Sequence, residues 1–186
     1  ISMADKQLIL ADAVPQLLTR LITPAIDPAT GKEEFKPVVD IHIGIVSSSL
    51  GGHGGDQCSE TGPASNPTQY DNGHLIGQAR TGLTSYNNLG FLWWDPTGQK
   101  GTAGPGEANK GNLETSFTAH VKATGENGCG YEAQLESWYR FLVDPAPPSK
   151  VVVVDNVAQI QGVDDVVLQQ RKDFLRPDSL VAVIML

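Results

Sequence analysis

The chain has little of what marks several large functional classes. Its 186 residues carry thirteen Lys and Arg against twenty-one Asp and Glu, a formal net charge of -8. A polyanion-binding surface needs clustered cations to displace counterions, and no basic run exists here, so nucleic acid is excluded as a natural partner. The longest apolar stretches, Val151 to Val154 and Leu180 to Leu186, fall far short of the roughly 20 residues that cross a bilayer. No membrane span is expected. Cysteine is scarce: Cys58 and Cys129 are too few and too far apart for a Cys-x-x-Cys zinc or redox site. They are either free buried thiols or a disulfide that closes a long loop, and the second would imply an oxidising compartment. Also missing are the Gly-x-Ser-x-Gly elbow, the Gly-x-x-x-x-Gly-Lys phosphate loop and the His-Glu-x-x-His zinc motif, which weighs against catalysis.

What is present is an ordinary globular balance, 40% hydrophobic and 18% charged, in a length that suits one domain. Met3, Leu10, Val14, Leu17 and Leu21 recur at helical spacing and predict an amphipathic helix from Met3 to Ile22. Ser2 is placed to cap it, and Pro15 predicts a kink within it. Val38 to Val46 is a β-branched run that reads as a strand buried on both faces. Helix followed by buried strand is the rhythm of an α/β sheet with crossover connections.

From Ser47 to Thr115 periodicity disappears and Gly, Asn, Pro and Ser accumulate, which reads as a long irregular insertion. Its one apolar island, Gly90 to Trp94, is expected to pin it to the main core. Tyr131, Leu135, Trp138 and Leu142 define a second helix, from about Tyr131 to Val143, with that stripe buried. Val151 to Val154 reads as a short strand. A third helix, about Asp164 to Leu175, leads through Arg176-Pro177-Asp178 into a terminal strand, Ser179 to Leu186.

Several of these segments, in this order, resemble the von Willebrand factor type A domain, in its secreted or lipoprotein-like bacterial branch. They are Ser2-Met3 before a helix; Ile41 to Val46 followed by Ser47-Ser48-Ser49-Leu50-Gly51; Gly128-Cys129-Gly130-Tyr131-Glu132 opening a helix; and Phe174 to Leu180 leading into a strand. The resemblance implies a single, partial domain over 1–186. It would be a three-layer Rossmann-like sandwich with a mostly parallel sheet, cut at both ends so that the first, central strand is missing. The edges of that gap would be unpaired, and the isolated chain unstable or aggregation-prone.

That family binds Mg²⁺, Mn²⁺ or Ca²⁺ at an adhesion site built from an Asp-x-Ser-x-Ser motif, a Thr and a later Asp. The resemblance therefore implies Ser2 and Thr124 as metal ligands, with the carboxylates beyond the two ends. Ser47, Ser48 and Ser49 would flank the site where a partner binds. Hard cations favour hydroxyl and carboxylate oxygens and keep a position open, so a protein ligand would complete the shell with an acidic side chain. Two hydroxyls alone give little charge compensation, and weak or no metal binding is expected of this stretch. The implied location is secreted, periplasmic or cell-envelope associated.

Plainer readings stand beside these. Ser2 serves equally as a helix cap, Thr124 as a loop residue, and Ser47 to Ser49 as partners for strand-end backbone. A different function class would place a metal-dependent hydrolase on His53, Asp56 and His74 of the glycine-rich loop. A third is a structural module without metal. His53, Asp56 and Cys58 lack further zinc ligands at a recognised spacing, and His42 reads as a hydrogen-bonded core histidine.

Overall fold

The computed structural model describes residues 4–55, 57–59, 66–101 and 103–185. Helix α1, Ala4–Ile22, runs through Pro15. The Pro15 carbonyl is used by the Thr19 hydroxyl at 2.8 Å. Ala11 and Leu18 are its buried positions; Leu10 and Val14 pack against the same core, whereas Leu17 lies outside it. Ser2, its expected cap, lies outside the described residues.

Strand β1, Ile41–Ile43, pairs antiparallel with β2, Leu92–Trp94, placing His42 opposite Trp93. This ribbon organises both cores, because alternate side chains of a strand point to opposite faces. Leu92 and Trp94 join Ala11, Leu18, Leu113, Phe117 and Val121 on one side. Phe91 joins Leu75, Phe141 and Val167 on the other, with Trp93 packed against that group. Helix α3, Lys110–Ala123, accompanies α1 on the first side; α4, Gln134–Leu142, and α5, Asp165–Phe174, form the second.

A parallel Rossmann-like sheet is not what forms. Among the described residues there are two separate two-stranded sheets, both antiparallel. The expected nine-residue buried strand is reduced to the three half-buried residues of β1, because the chain is diverted just beyond it: the Ile45 carbonyl accepts from Ile76 N at the start of a short helix. The expected terminal strand has no ladder either. Residues 179–185 are without strand structure, with Leu180 95% and Ile184 61% exposed. An apolar β-branched run specifies an extended chain, but its partner must come from elsewhere in the fold.

The 47–115 stretch is not an insertion attached to a core built by other segments. It contributes Leu50, Leu75, Ile76, Phe91, Leu92, Trp94 and Leu113 to the buried interior. It also contains a short helix α2, Ile76–Ala79, and two single-turn helices, Pro67–Gln69 and Tyr86–Asn88. The aromatic island pins this stretch as expected, with Phe91 fully buried.

The second sheet is a hairpin, β3 Pro148–Val154 and β4 Val157–Val163. Its two-residue turn, Asp155-Asn156, has φ of 49° and 62°, the left-handed pair that matches the twist of a hairpin. The hairpin rests on the glycine-rich loop at Gly54. There φ is +88° and a Cβ would meet Val152 and Val153 at 3.1 Å, so only glycine fits. Helix α5 begins as anticipated, with Asp164 accepting from the Val166 and Val167 amides.

Candidate functional site

Ser47 to Ser49, the Thr124 loop and Cys129 meet at one end of the β1–β2 ribbon, where loops are knotted by a buried ion pair. Asp71 and Arg80 are its centre. Their side chains are 1% and 13% exposed, and Arg80 grips the carboxylate with two nitrogens, the Nη2 to Oδ2 bond being 2.9 Å. Paired donors of this kind fix orientation as well as charge. The same guanidinium donates from Nε to the Ala123 carbonyl at 3.2 Å, at the end of α3 beside Thr124. Asp71 also accepts from the Ser47 hydroxyl, and its amide donates to the Ser49 carbonyl.

All three serines of the Ser47-Ser48-Ser49 turn are engaged, Ser47 and Ser49 through their hydroxyls and Ser48 through its carbonyl. The Ser47 hydroxyl accepts from Ser49 N while donating to Asp71. Ser48 takes the Ala133 amide on its carbonyl at 3.0 Å. Ser49 accepts Cys129 N on its hydroxyl at 3.1 Å. The Ser137 hydroxyl of α4 donates to the Ser47 carbonyl. At the start of α4 the turn is thus sewn to the Gly128-Cys129-Gly130 loop.

Cys58 and Cys129 form a disulfide with a Cα–Cα distance of 5.5 Å across a sequence separation of 71, which resolves the open choice for these two thiols. It ties the glycine-rich loop to this same end, where Cys129 Sγ lies 3.5 Å from the Gly51 carbonyl. With its sulfur committed, Cys58 is no thiolate ligand for zinc. His53 stands in the glycine-rich loop with φ of 49°, and Asp56 lies outside the described residues. His74 belongs to a different group: its Nε2 sits 2.7 Å from Asp164 Oδ2, at the cap of α5. Burial pushes the Asp164 carboxyl up, but His74 and the two capping amides outweigh that and hold it below the ordinary range. Of the hydrolase grouping His53, Asp56 and His74, only the two histidines are described, and His74 is engaged with Asp164.

Thr124 is the C-terminal cap of α3, and its hydroxyl donates to the Val121 carbonyl at 2.7 Å. Its lone pairs remain unused by that bond. The next residue, Gly125, accepts at its carbonyl from Gln7 Nε2 at 2.7 Å, so the loop that carries Thr124 touches the second turn of α1. The Ser47 turn and the Thr124 loop therefore share one end of the molecule, with Gln7 of α1 beside them.

Whether these residues suit a hard divalent cation is a matter of donor chemistry. They offer hydroxyl and carbonyl oxygens, while the one carboxylate at the centre, Asp71, is consumed by Arg80. Among the described residues no three His, Cys, Asp or Glu side chains come together as a metal-binding group. The described residues thus do not fit a Mg²⁺, Mn²⁺ or Ca²⁺ site on their own.

The sequence reading missed Arg80 and Asp71. Nine residues apart in aperiodic, glycine-rich sequence, they carry no local signal of pairing. No family model, curated protein or solved structure matches this chain.

Proposed function

We propose that the chain is a protein-binding or adhesion module whose recognition face is the loop end held by Asp71 and Arg80. One observation carries this reading: the Ser47–Ser49 turn, the Thr124 loop and the α1 side are joined there by directed hydrogen bonds. Loops fixed on a rigid scaffold are where binding residues concentrate, and the order of motifs shared with the von Willebrand type A family lends the reading further support, though not that family's sheet. A divalent ion such as Mg²⁺ would be held here only weakly, by hydroxyls, and would need a partner's acidic side chain to supply charge. The disulfide favours a secreted, periplasmic or cell-envelope setting.

The test is Mn²⁺-induced broadening of backbone amide resonances, with and without a blocked peptide bearing one Glu. Broadening centred on Ser48 to Leu50 and on Thr124 and Gly125 is expected, only at about millimolar metal, and deepened by the peptide. Broadening centred elsewhere, or unaffected by the peptide, would overturn the metal-assisted form of the reading.

A further inference from the structure

Helix α4 turns part of its apolar surface outward, although Phe141 is buried and Leu142 packs against the core. The sequence stripe Tyr131, Leu135, Trp138 and Leu142 should face the core, yet Tyr131 is 55% and Leu135 66% exposed, and Tyr139 is 44% exposed. The inward positions are Ser137, Arg140 and Phe141. Ser137 is drawn in by the Ser47 carbonyl. Arg140 lays its stem against Gly73 and pairs with Glu136. The helix thus gives its inner face to holding the Ser47 turn and leaves an open groove along its outer face.

That groove is lined by Leu135, Trp138 and Tyr139 with Glu132 and Glu136 beside them, and by no cation. Among the described residues Glu132 has no ion-pair partner, and the whole chain carries a net charge of -8. Aromatic rings beside carboxylates suit an apolar side chain next to a cation, through burial, cation–π contact and charge complementarity. The groove also adjoins the proposed recognition face, since Ala133 N donates to the Ser48 carbonyl.

We propose that the α4 groove seats a segment of a partner protein in which an aliphatic or aromatic side chain is flanked by Lys or Arg. This deepens the protein-binding reading and is independent of its metal-assisted form. The apolar side chain covers Leu135 and Tyr139, and the flanking cation meets Glu132.

The probe is a matched pair of fluorescein-labelled peptides, one with a central Phe between Lys and Arg and one with Phe between two Glu. Binding to the disulfide-intact protein is followed by anisotropy at low salt in EDTA. The basic peptide is expected to bind roughly tenfold or more tightly than the acidic one. Leu135→Ser and Glu132→Gln should each weaken it several-fold, while Leu8→Ser, at an exposed position of α1, leaves it unchanged. Equal binding of the two peptides, no measurable binding of either, or indifference to both groove substitutions would overturn the proposal. Because EDTA removes any metal contribution, such a result bears on the groove alone, and the Mn²⁺ experiment judges the loop end separately.

Discussion

Replacing Arg80 by Met should cost more stability than any other single surface-loop change, and the geometry sets its size. Asp71 is 1% exposed and would keep its charge while losing both guanidinium bonds. Removing one partner of a buried ion pair typically costs about 3–5 kcal/mol, because the other charge is left desolvated. The Ser47 hydroxyl remains to Asp71, but one such bond contributes only about 1 kcal/mol net and cannot offset the loss. Against a total stability of about 5–15 kcal/mol, this is a large fraction. Urea unfolding at pH 7, at low protein concentration, reads it directly. The double variant Arg80→Met with Asp71→Leu should regain most of the loss, since no buried charge then stands alone. A single-variant cost under about 1 kcal/mol, or a double variant as costly as the sum of the two singles, would refute the view that this pair is a desolvated knot.

Three further outcomes follow from the same geometry. Removing the disulfide by Cys58→Ser with Cys129→Ser opens a closure spanning 71 residues and should lower stability by about 4 kcal/mol through chain entropy; an unchanged urea midpoint would deny the bond that role. Burial lowers the pKa of His42, whose ring bonds the Phe174 carbonyl, and of His120, which donates to the Thr84 carbonyl. Their folded pKa values lie below the ordinary 6.5, so their contribution is whole above that pH and is lost as pH falls through the folded values. A urea midpoint that stays flat from pH 8 to 5 would contradict this. Finally, the unpaired apolar segment with Leu180, Val181, Val183 and Ile184 exposed should drive concentration-dependent self-association in sedimentation velocity, relieved by Val183→Lys; a monomer at all concentrations would count against it.

How far the sequence revealed this structure differs from element to element, for physical reasons. Helix α1 was legible from its periodicity and α5 from periodicity and cap together; Asp164 holds two amides of α5 as its position suggested. Helix α3 was hidden because its buried row, Leu113, Phe117, His120 and Val121, includes a histidine and is interspersed with Gly, Asn and Thr. Its start at Lys110 fell inside the stretch read as irregular. The second helix was placed correctly but rotated: an Arg and a Ser went inside because specific hydrogen bonds repaid their burial, which no hydrophobic pattern can foretell. The hairpin had a readable turn in Asp155-Asn156, yet only its first strand was recognised.

The sheet was the largest error, since a β-branched run fixes backbone extension without naming its neighbour. At the site, Thr124 and Ser47 to Ser49 do share one end of the molecule, while Asp71 and Arg80, which hold that end together, were invisible because their pairing is tertiary.

The central claim, that the Asp71–Arg80 knot shapes a recognition face from the Ser47 turn and the Thr124 loop, is tested most directly by repeating the Mn²⁺ and Glu-peptide broadening experiment on the Arg80→Met, Asp71→Leu double variant. That protein should remain folded, with its core amides dispersed as before, yet lose the coincident broadening at Ser48 to Leu50 and at Thr124 and Gly125. A folded double variant whose broadening at both loops matches the parent would contradict the claim.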